Sequence, residues 1–481
     1  MAPTGEPLLG AAAIDDDGDP SQEVGIKRRP RLDSGTEEYE HRVLFVNKRG
    51  KRLNVASCAM NLVLCQLGLG TLAMPQSYVI VGWVEGSVLM VVFAAVSGYA
   101  LYLLDKTCRA LPSSAKSESI AGLLDALYGT RGAYALELLM FLLSLGVMCA
   151  YFGPIGVELS TFAQWWLQPE LGGATDMWLQ PLPLRLISAA VFIGPISLLP
   201  ERNVQGLIGA VATGCTLFTM LVVAAQAPWR SFFPPMLDAC AGAAAGHEAA
   251  DLEPVTSVPS FMALVEAVPL FVFSYNAPTG FLPIRAQLWR PQSDPSRCVG
   301  RRKVLAVILI GQGAVCLNYT LTALMGYMTF CGLTPAMVLD GYPTELRLPL
   351  MGRLVLAVQL CLVLTGVWLP LNRGAMWTLA RGLHVHMPFA IRLILTVVSI
   401  GIPITISTLL GGSLTLPLGL TSSVCLTMFM FVLPGAVAYS ARALGHRPHQ
   451  RAIPLMFCIF GVLVAAVSTW RMLASASRAT S

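Results

Sequence analysis

One short stretch near the start of the chain combines helix-breaking and polar residues inside an apolar run. Gly68–Pro75 reads GLGTLAMP and lies within the longer run Cys58–Tyr78. Glycine weakens a helix, and proline removes a backbone donor and clashes with the preceding turn. Irregular backbone at membrane depth is tolerated only where it lines a cavity or is buried in protein. Two interpretations stay open: a broken helix that holds a small polar solute, or a helix kept thin by glycine so that a neighbour packs closely.

A second interruption of the same kind occurs at Ser274–Gly280, where Ser, Asn, Pro and Gly fall in the middle of another apolar run. Paired interrupted segments are the best sequence indication of a transporter site, so this second break favours the broken-helix interpretation. A broken helix exposes unpaired N–H groups at the start of its second half and unpaired C=O groups at the end of its first half. The N–H ends suit a carboxylate, and the C=O ends suit an ammonium group or an alkali cation.

Neither break contains an acidic or basic residue, so the pattern predicts a pocket for a solute without net charge. A zwitterionic α-amino acid offers a carboxylate and an ammonium group within a few ångströms of each other. The residues predicted to bind it are Gly68, Gly70, Thr71, Ser274 and Asn276. Two of them offer hydroxyl groups, and Asn276 offers an amide that reaches the solute or holds the loop.

The composition of the chain is that of a protein embedded in a membrane. Its 481 residues are 55% hydrophobic and 12% charged, whereas soluble domains carry about twice that share of charge. Apolar runs of the length needed to cross a bilayer recur throughout, which indicates an all-α polytopic membrane protein. Residues 1–52 cannot bury a core and are predicted to form a disordered cytoplasmic tail. Residues 53–473 form the predicted transmembrane domain, and 474–481 a short C-terminal tail.

The hydropathy pattern predicts eleven spans with a cytoplasmic N-terminus and a non-cytoplasmic C-terminus. The predicted spans are 54–78, 83–105, 136–160, 184–200, 206–227, 259–284, 304–331, 349–372, 388–410, 413–440 and 452–473. Basic residues concentrate in the segments that this topology places inside, as the positive-inside rule requires. A short amphipathic helix at the membrane interface is predicted over Ser117–Tyr128. Because the interrupted spans open two groups of five, the groups run in opposite directions, and span 11 is an addition to this inverted repeat.

A few residues outside the breaks carry further hypotheses. Glu266 lies in the sixth span, where a carboxylate is costly and functional by default. It is a candidate for carrying a coupling proton; alternatively, it is a structural partner of a facing polar residue or lies in a wetted vestibule. Cys240 and Cys331 both fall on the predicted outer side, so a disulfide between them is an open hypothesis. The sequence shows no metal-ligand spacing, no cofactor motif, no phosphate loop and no nucleophile–base pair, and it predicts no enzyme.

Five motifs in chain order resemble the amino acid/auxin permease group, and most closely its sodium-coupled neutral amino acid transporter branch. The resemblance covers roughly residues 53–472. The motif in the first span is Asn61-Leu62 with Gly68, Gly70 and Leu72, and the motif in the sixth span is Phe271-Val272-Phe273 with Pro278 and Leu282-Pro283-Ile284. The other three motifs lie at the ends of the seventh and eighth spans and in the tenth, and they are 323–332, Leu369–Arg373 and Phe431–Pro434. The resemblance implies a five-plus-five inverted-repeat fold of the LeuT type and secondary active amino acid transport.

The resemblance also bears on the coupling ion. Sodium-using members have an asparagine in the first span at the position of Leu64, and leucine cannot ligate a cation. Their other side-chain sodium ligand is a threonine in the eighth span, close to the place of Thr365. The resemblance therefore implies Thr365 as an ion-coupling residue, while Leu64 argues against sodium.

These observations predict an ion-coupled transporter of amino acids, with neutral ones as the leading class, working by alternating access with H⁺ or Na⁺. The alternatives are an amino acid sensor that signals through its N-terminal tail with little transport, and a channel. The expected partners are a small-molecule amino acid and the lipid bilayer, with no nucleic acid and a monomeric chain. The expected location is the plasma membrane or the vacuolar or lysosomal membrane.

Overall fold

The computed structural model describes residues 54–111, 119–167, 177–198, 201–227, 260–288, 300–382, 385, 387–412, 414–445 and 447–480. The predicted tail 1–52 and Cys240 lie outside these residues. Helices dominate the described part of the chain. In chain order they are α1 Val55–Leu64, α2 Leu69–Val81, α3 Trp83–Ala110, α4 Ile120–Tyr128, α5 Thr130–Leu167, α6 Pro181–Leu198, α7 Glu201–Gln226, α8 Phe261–Ser274, α9 Pro278–Gln287, α10 Arg301–Phe330, α11 Arg347–Arg381, α12 Phe389–Leu409, α13 Thr415–Ser440 and α14 Pro448–Thr480.

The described helices account for the predicted membrane spans. Ten elements are long and apolar enough to cross a membrane, and the pair α1 and α2 forms an eleventh span when its two bent halves are counted together. The prediction of an all-α polytopic membrane protein is therefore confirmed. Span 1 consists of α1 with α2, span 6 consists of α8 with α9, and the other spans are single helices in chain order, with the short α4 excluded.

The short helix predicted before the third span is present as α4. Ser119 is its N-cap, and its side-chain oxygen accepts a hydrogen bond from the backbone N–H of Gly122 at 3.1 Å. Such a cap satisfies one of the donors that have no partner at a helix start. Helix α14 continues to Thr480 and so runs into the predicted short tail at 474–481, whose assignment as a tail stays a prediction. The segment after the predicted span end contains alanine, serine and arginine but no glycine or proline, so nothing in it ends the helix.

Three of the spans widen locally into π-helix just before a proline. These segments are Ala189–Ile193, Leu364–Trp368 and Met428–Val432, and each ends two residues before a proline, namely Pro195, Pro370 and Pro434. A proline lacks the backbone N–H and its ring clashes with the carbonyl four residues earlier. In each case that carbonyl belongs to the π segment, so the wider turn relieves the clash without ending the helix.

The two interrupted spans lie side by side at the centre of the bundle. The first half of span 1 packs against the second half of span 6, and the second half of span 1 against the first half of span 6. The two spans therefore run in opposite directions, as an inverted repeat requires, and the repeat itself stays a prediction. Helix α10 packs along both halves of span 1, so it fixes the angle between them.

Cysteine usage in the described residues is mostly that of small apolar side chains. Cys331, which follows α10, is disulfide-bonded. Cys58, Cys149 and Cys361 are among the free cysteines that lie buried within helices. The predicted pairing of Cys331 with Cys240 stays a prediction, since Cys240 lies outside the described residues.

Candidate functional site

Span 1 is broken where the glycines and polar residues predicted it. Helices α1 and α2 meet at 64° across a gap of a few residues. Gly68 is the N-cap of α2 and provides no side-chain cap. The N–H of Thr71 bonds to the carbonyl of Gly68 at 3.0 Å, while the N–H groups of Leu69 and Gly70 precede any possible helical acceptor. The start of α2 therefore presents backbone donors and the positive end of a helix dipole.

Span 6 is interrupted between Ser274 and Pro278, within the predicted segment. The backbone N–H of Ala277 bonds to the carbonyl of Tyr275 at 2.8 Å, which is not a helical pairing. The same Tyr275 carbonyl accepts a hydrogen bond from the Ser97 hydroxyl of α3 at 2.8 Å. The interruption is thus held by a neighbouring helix, and the two halves together still form one span of 27 residues.

The two breaks touch each other directly. A Cβ atom added to Gly70 would lie 2.5 Å from Ser274 Oγ, 3.1 Å from Ser274 Cβ and 3.3 Å from Ser274 Cα. Carbon atoms in contact prefer about 3.5–4.0 Å. Only glycine therefore allows this approach, which explains the second glycine of the motif. By contrast, a Cβ at Gly68 would meet no atom within 4 Å.

One tyrosine of α10 holds both breaks. Tyr319 is fully buried, and its hydroxyl donates toward two carbonyl oxygens, that of Gln66 at 2.5 Å and that of Ser274 at 3.0 Å. Its ring also meets Tyr275 edge-on at 5.3 Å between centroids. The end of each first half is therefore tied to the same side chain. No local sequence signal identified Tyr319, because its role depends on how α10 packs against spans 1 and 6.

A cavity of about 140 Å³ opens at the two breaks. Its lining comes from residues 64–70, from Phe273, Ser274, Asn276 and Thr279, and from α5, α7, α11 and α13. A cavity of ~150 Å³ in another protein holds benzene, and a water molecule occupies ~30 Å³ in the liquid. The cavity is therefore large enough for a solute of about six non-hydrogen atoms.

None of the described residues that line the cavity is acidic, basic or histidine. The buried ion pairs of the described residues lie elsewhere: Arg285 Nε bonds to Asp105 Oδ1 at 2.6 Å. Arg353 Nη1 lies 3.8 Å from both Glu158 Oε2 and Asp340 Oδ1. A charged solute would have no counter-charge in the cavity, and burying an unpaired charge is strongly unfavourable. The geometry thus favours a solute without net charge, as the sequence predicts.

Four of the five predicted binding residues lie on the cavity and one lies behind it. Gly68, Gly70, Ser274 and Asn276 line the cavity. Thr71 is fully buried next to Tyr319, but it is outside the lining, and its hydroxyl has no hydrogen-bond partner in good geometry.

The residues considered for ion coupling lie apart from the cavity, with one exception. Leu64 lines the cavity with an apolar side chain; that sodium-using relatives have an amide there stays an implication of the resemblance. Thr365 is buried in the π segment of α11, and its hydroxyl donates to the Cys361 carbonyl of its own helix at 2.6 Å. Glu266 faces α14, where its Oε2 lies 3.3 Å from Arg471 Nη2 and its side chain is 38% exposed. The ion-coupling roles of Thr365 and Glu266 stay predictions.

Comparison with known proteins places the chain in a family. The family model described as transmembrane amino acid transporter protein matches residues 51–474. The chain belongs to this family, and it is therefore a multi-pass membrane transporter rather than an enzyme. The resemblance to amino acid/auxin permeases is confirmed, while the sodium-coupled neutral branch stays a prediction.

Solved transporter structures also match most of the chain. An inward-facing conformation of Mhp1 is 14% identical, with a TM-score of 0.48, and the match covers 91% of this chain and 92% of that one. A variant of the manganese transporter of Eremococcus coleocola is 14% identical, with a TM-score of 0.46 and 86% of each chain covered. A Na⁺-coupled sialic acid symporter is 13% identical, with a TM-score of 0.39, covering 92% and 94% of the two chains.

Proposed function

We propose that this protein is a secondary active transporter that moves neutral amino acids across a membrane by alternating access. The single observation that carries the proposal is the meeting of two broken spans at a cavity without charged side chains. Backbone donors at the start of α2 suit the carboxylate of the solute, because the helix dipole and the free N–H groups both favour negative charge. Membership of the amino acid transporter family supports the same solute class.

Alternating access is supported by the construction of spans 1 and 6. Each is a pair of half-helices joined by non-helical backbone, so each half can tilt about the break without unwinding a whole span. Gly70 against Ser274 gives the contact at which the two spans slide or separate. Tyr319 joins the two breaks, because its hydroxyl donates toward one backbone carbonyl of each.

The coupling ion is H⁺ or Na⁺, and the arrangement around Leu64 favours H⁺. An apolar side chain lines the cavity at the position where an amide would ligate sodium. The Thr365 hydroxyl hydrogen is already used within α11, although its oxygen retains a lone pair. Glu266 is the candidate proton carrier that the sequence suggests, and its carboxylate pairs with Arg471 at 3.3 Å.

Uptake of a labelled neutral amino acid into proteoliposomes, with imposed pH or Na⁺ gradients in turn, tests the proposal. We expect accumulation of alanine above its equilibrium level, driven by one of the two gradients. Equilibration of alanine without accumulation under either gradient would contradict secondary active transport. Binding of alanine without any flux would instead favour the sensor, and deletion of residues 1–50 would then abolish signalling while leaving binding intact.

A further inference from the structure

Three residues of the cavity carry amide side chains whose oxygens have no hydrogen-bond donor. They are Gln66 at the first break, Asn276 at the second and Gln359 on α11. Their oxygen atoms are shielded from water. Leaving a buried acceptor unsatisfied is unfavourable, and each such group in a native structure calls for an explanation. Other buried amides, such as that of Gln312, also lack a partner, but these three residues share one cavity, and a solute that brings donors would satisfy all three.

The hydrogen bonds of the amide nitrogens show that the free atoms of Gln66 and Gln359 are oxygens. The Gln66 Nε2 donates to the Leu62 carbonyl at 3.2 Å. The Gln359 Nε2 donates to Thr216 Oγ1 at 2.8 Å. The Thr216 hydroxyl itself donates to the Ala212 carbonyl at 3.0 Å, so its oxygen acts as the acceptor for Gln359. Turning either amide over would set oxygen against an acceptor.

The amide of Asn276 is fixed in the same way. Its Nδ2 lies 3.4 Å from Thr279 Oγ1, and the Thr279 hydroxyl donates to the Asn276 backbone carbonyl at 3.2 Å. Because the hydroxyl hydrogen is used there, Thr279 Oγ1 acts as the acceptor and the nitrogen of Asn276 faces it. The free atom of Asn276 is therefore also an oxygen.

Resting on the proposed function, we propose that the side-chain oxygens of Gln66, Asn276 and Gln359 bind the ammonium group of the transported amino acid. A primary ammonium group carries three N–H donors and no acceptor, which matches three acceptors without donors. The carboxylate lies at the N–H groups of Leu69 and Gly70, two residues that also line the cavity. The amide oxygens are neutral acceptors. They bind a primary ammonium group through its N–H donors, and they do not attract a second cation as a carboxylate would.

Binding completes the site. Because the three oxygens are shielded from water in this structure, small rotations of their side chains accompany entry of the solute. The ammonium group is then the part of the solute that links spans 1, 6 and 8.

The test compares alanine with propionate, which keeps the carboxylate and the size but lacks the ammonium group. The variants are Gln359→Met and Gln66→Met, which keep the length of the side chain and remove the oxygen. The matched control is Gln312→Met, because Gln312 is also a buried glutamine with an unpaired amide but lies outside the cavity. Binding of both compounds to purified full-length protein is measured by displacement of labelled alanine, at fixed Na⁺ and again without it.

We expect each cavity variant to weaken alanine binding by about tenfold or more, because a hydrogen bond to a charged group is lost. Propionate has a net charge that the cavity does not balance, so it should bind the wild type much more weakly than alanine. That weak displacement by propionate should be unchanged in the cavity variants, and the control should bind both compounds like the wild type. As a second measurement, the Tm of each purified variant separates a loss of binding from a failure to fold, and Gln66→Met tests the set independently of Gln359→Met.

Three results would overturn the inference. Alanine binding could be unaffected in both cavity variants, or alanine and propionate could weaken by the same factor, as a purely structural role would produce. The variants could also change the Na⁺ dependence of binding while the ratio of alanine to propionate stays the same, which would make the oxygens ligands of the ion. These results differ from failure of the proposed function, in which the wild type itself binds no amino acid.

Discussion

Substitution of Gly70 by alanine probes the contact on which the site is built. The new Cβ would lie 2.5 Å from Ser274 Oγ and 3.3 Å from Ser274 Cα. The hydroxyl can rotate away, but the α carbon belongs to the backbone and moves only if the two breaks separate. Restoring ordinary carbon contacts requires a shift of about 0.5–1 Å. Inserting a methyl group into a packed contact costs about 1–3 kcal/mol, which corresponds to roughly a 5- to 150-fold loss of function.

The assay is initial uptake of labelled alanine into proteoliposomes at equal reconstituted protein. We expect Gly70→Ala to lower the rate of uptake by roughly 5- to 150-fold. Gly70→Val should abolish uptake, because valine adds two more methyl groups at the same contact. The double variant Gly70→Ala with Ser274→Gly should recover part of the activity, since it removes the two nearest atoms. Gly313→Ala is the control, because Gly313 is also helical and a Cβ there meets nothing within 4 Å. Full activity of Gly70→Val, or no recovery in the double variant while Gly313→Ala is normal, would show that this contact does not limit transport.

Two further predictions concern the supports of the site and the charges around it. Tyr319→Phe removes the donor shared by two buried carbonyls, so we expect a loss of about 1–3 kcal/mol, seen as slower uptake and a lower Tm of the purified protein; unchanged uptake and Tm would contradict this. Arg353→Gln leaves Glu158 buried without its cation, and breaking a buried pair costs about 3–5 kcal/mol, so we expect a marked fall in Tm. The matched variant Arg471→Gln breaks the partly exposed pair with Glu266, which is worth about 0–1 kcal/mol, and equal falls in Tm for the two arginine variants would contradict the assignment.

The breaks themselves could be predicted from sequence because their cause is local. Two glycines near Pro75, and Asn276 followed by Pro278, disfavour a regular helix whatever surrounds them. The membrane spans could be predicted from sequence equally well, because length and hydropathy alone decide whether a helix can cross the bilayer. Three of the four described π segments also had a local signal, since Pro195, Pro370 and Pro434 each lie two residues beyond one, whereas Ser422–Leu426 has none.

The arrangement around the breaks could not be predicted in the same way. Glutamines in membrane spans are expected to form hydrogen bonds between helices. Gln66 and Gln359 each bond through the side-chain nitrogen, Gln359 to another helix and Gln66 to the carbonyl of Leu62 in its own segment. Which of the several span amides also face the cavity depends on the rotation of each helix, and that is set by packing. The role of Tyr319 could not be predicted from the sequence for the same reason, because its hydrogen-bond acceptors lie 253 and 45 residues away in the chain.

A structure of the protein with bound alanine is the decisive measurement for the binding site. We expect density for one alanine in the cavity between the two breaks, with the carboxylate within hydrogen-bond distance of the N–H groups of Leu69 and Gly70. Its ammonium group should face the second break. Alanine bound elsewhere, with the space between Gly70 and Asn276 filled by side chains, would contradict the proposal that the broken spans form the binding site.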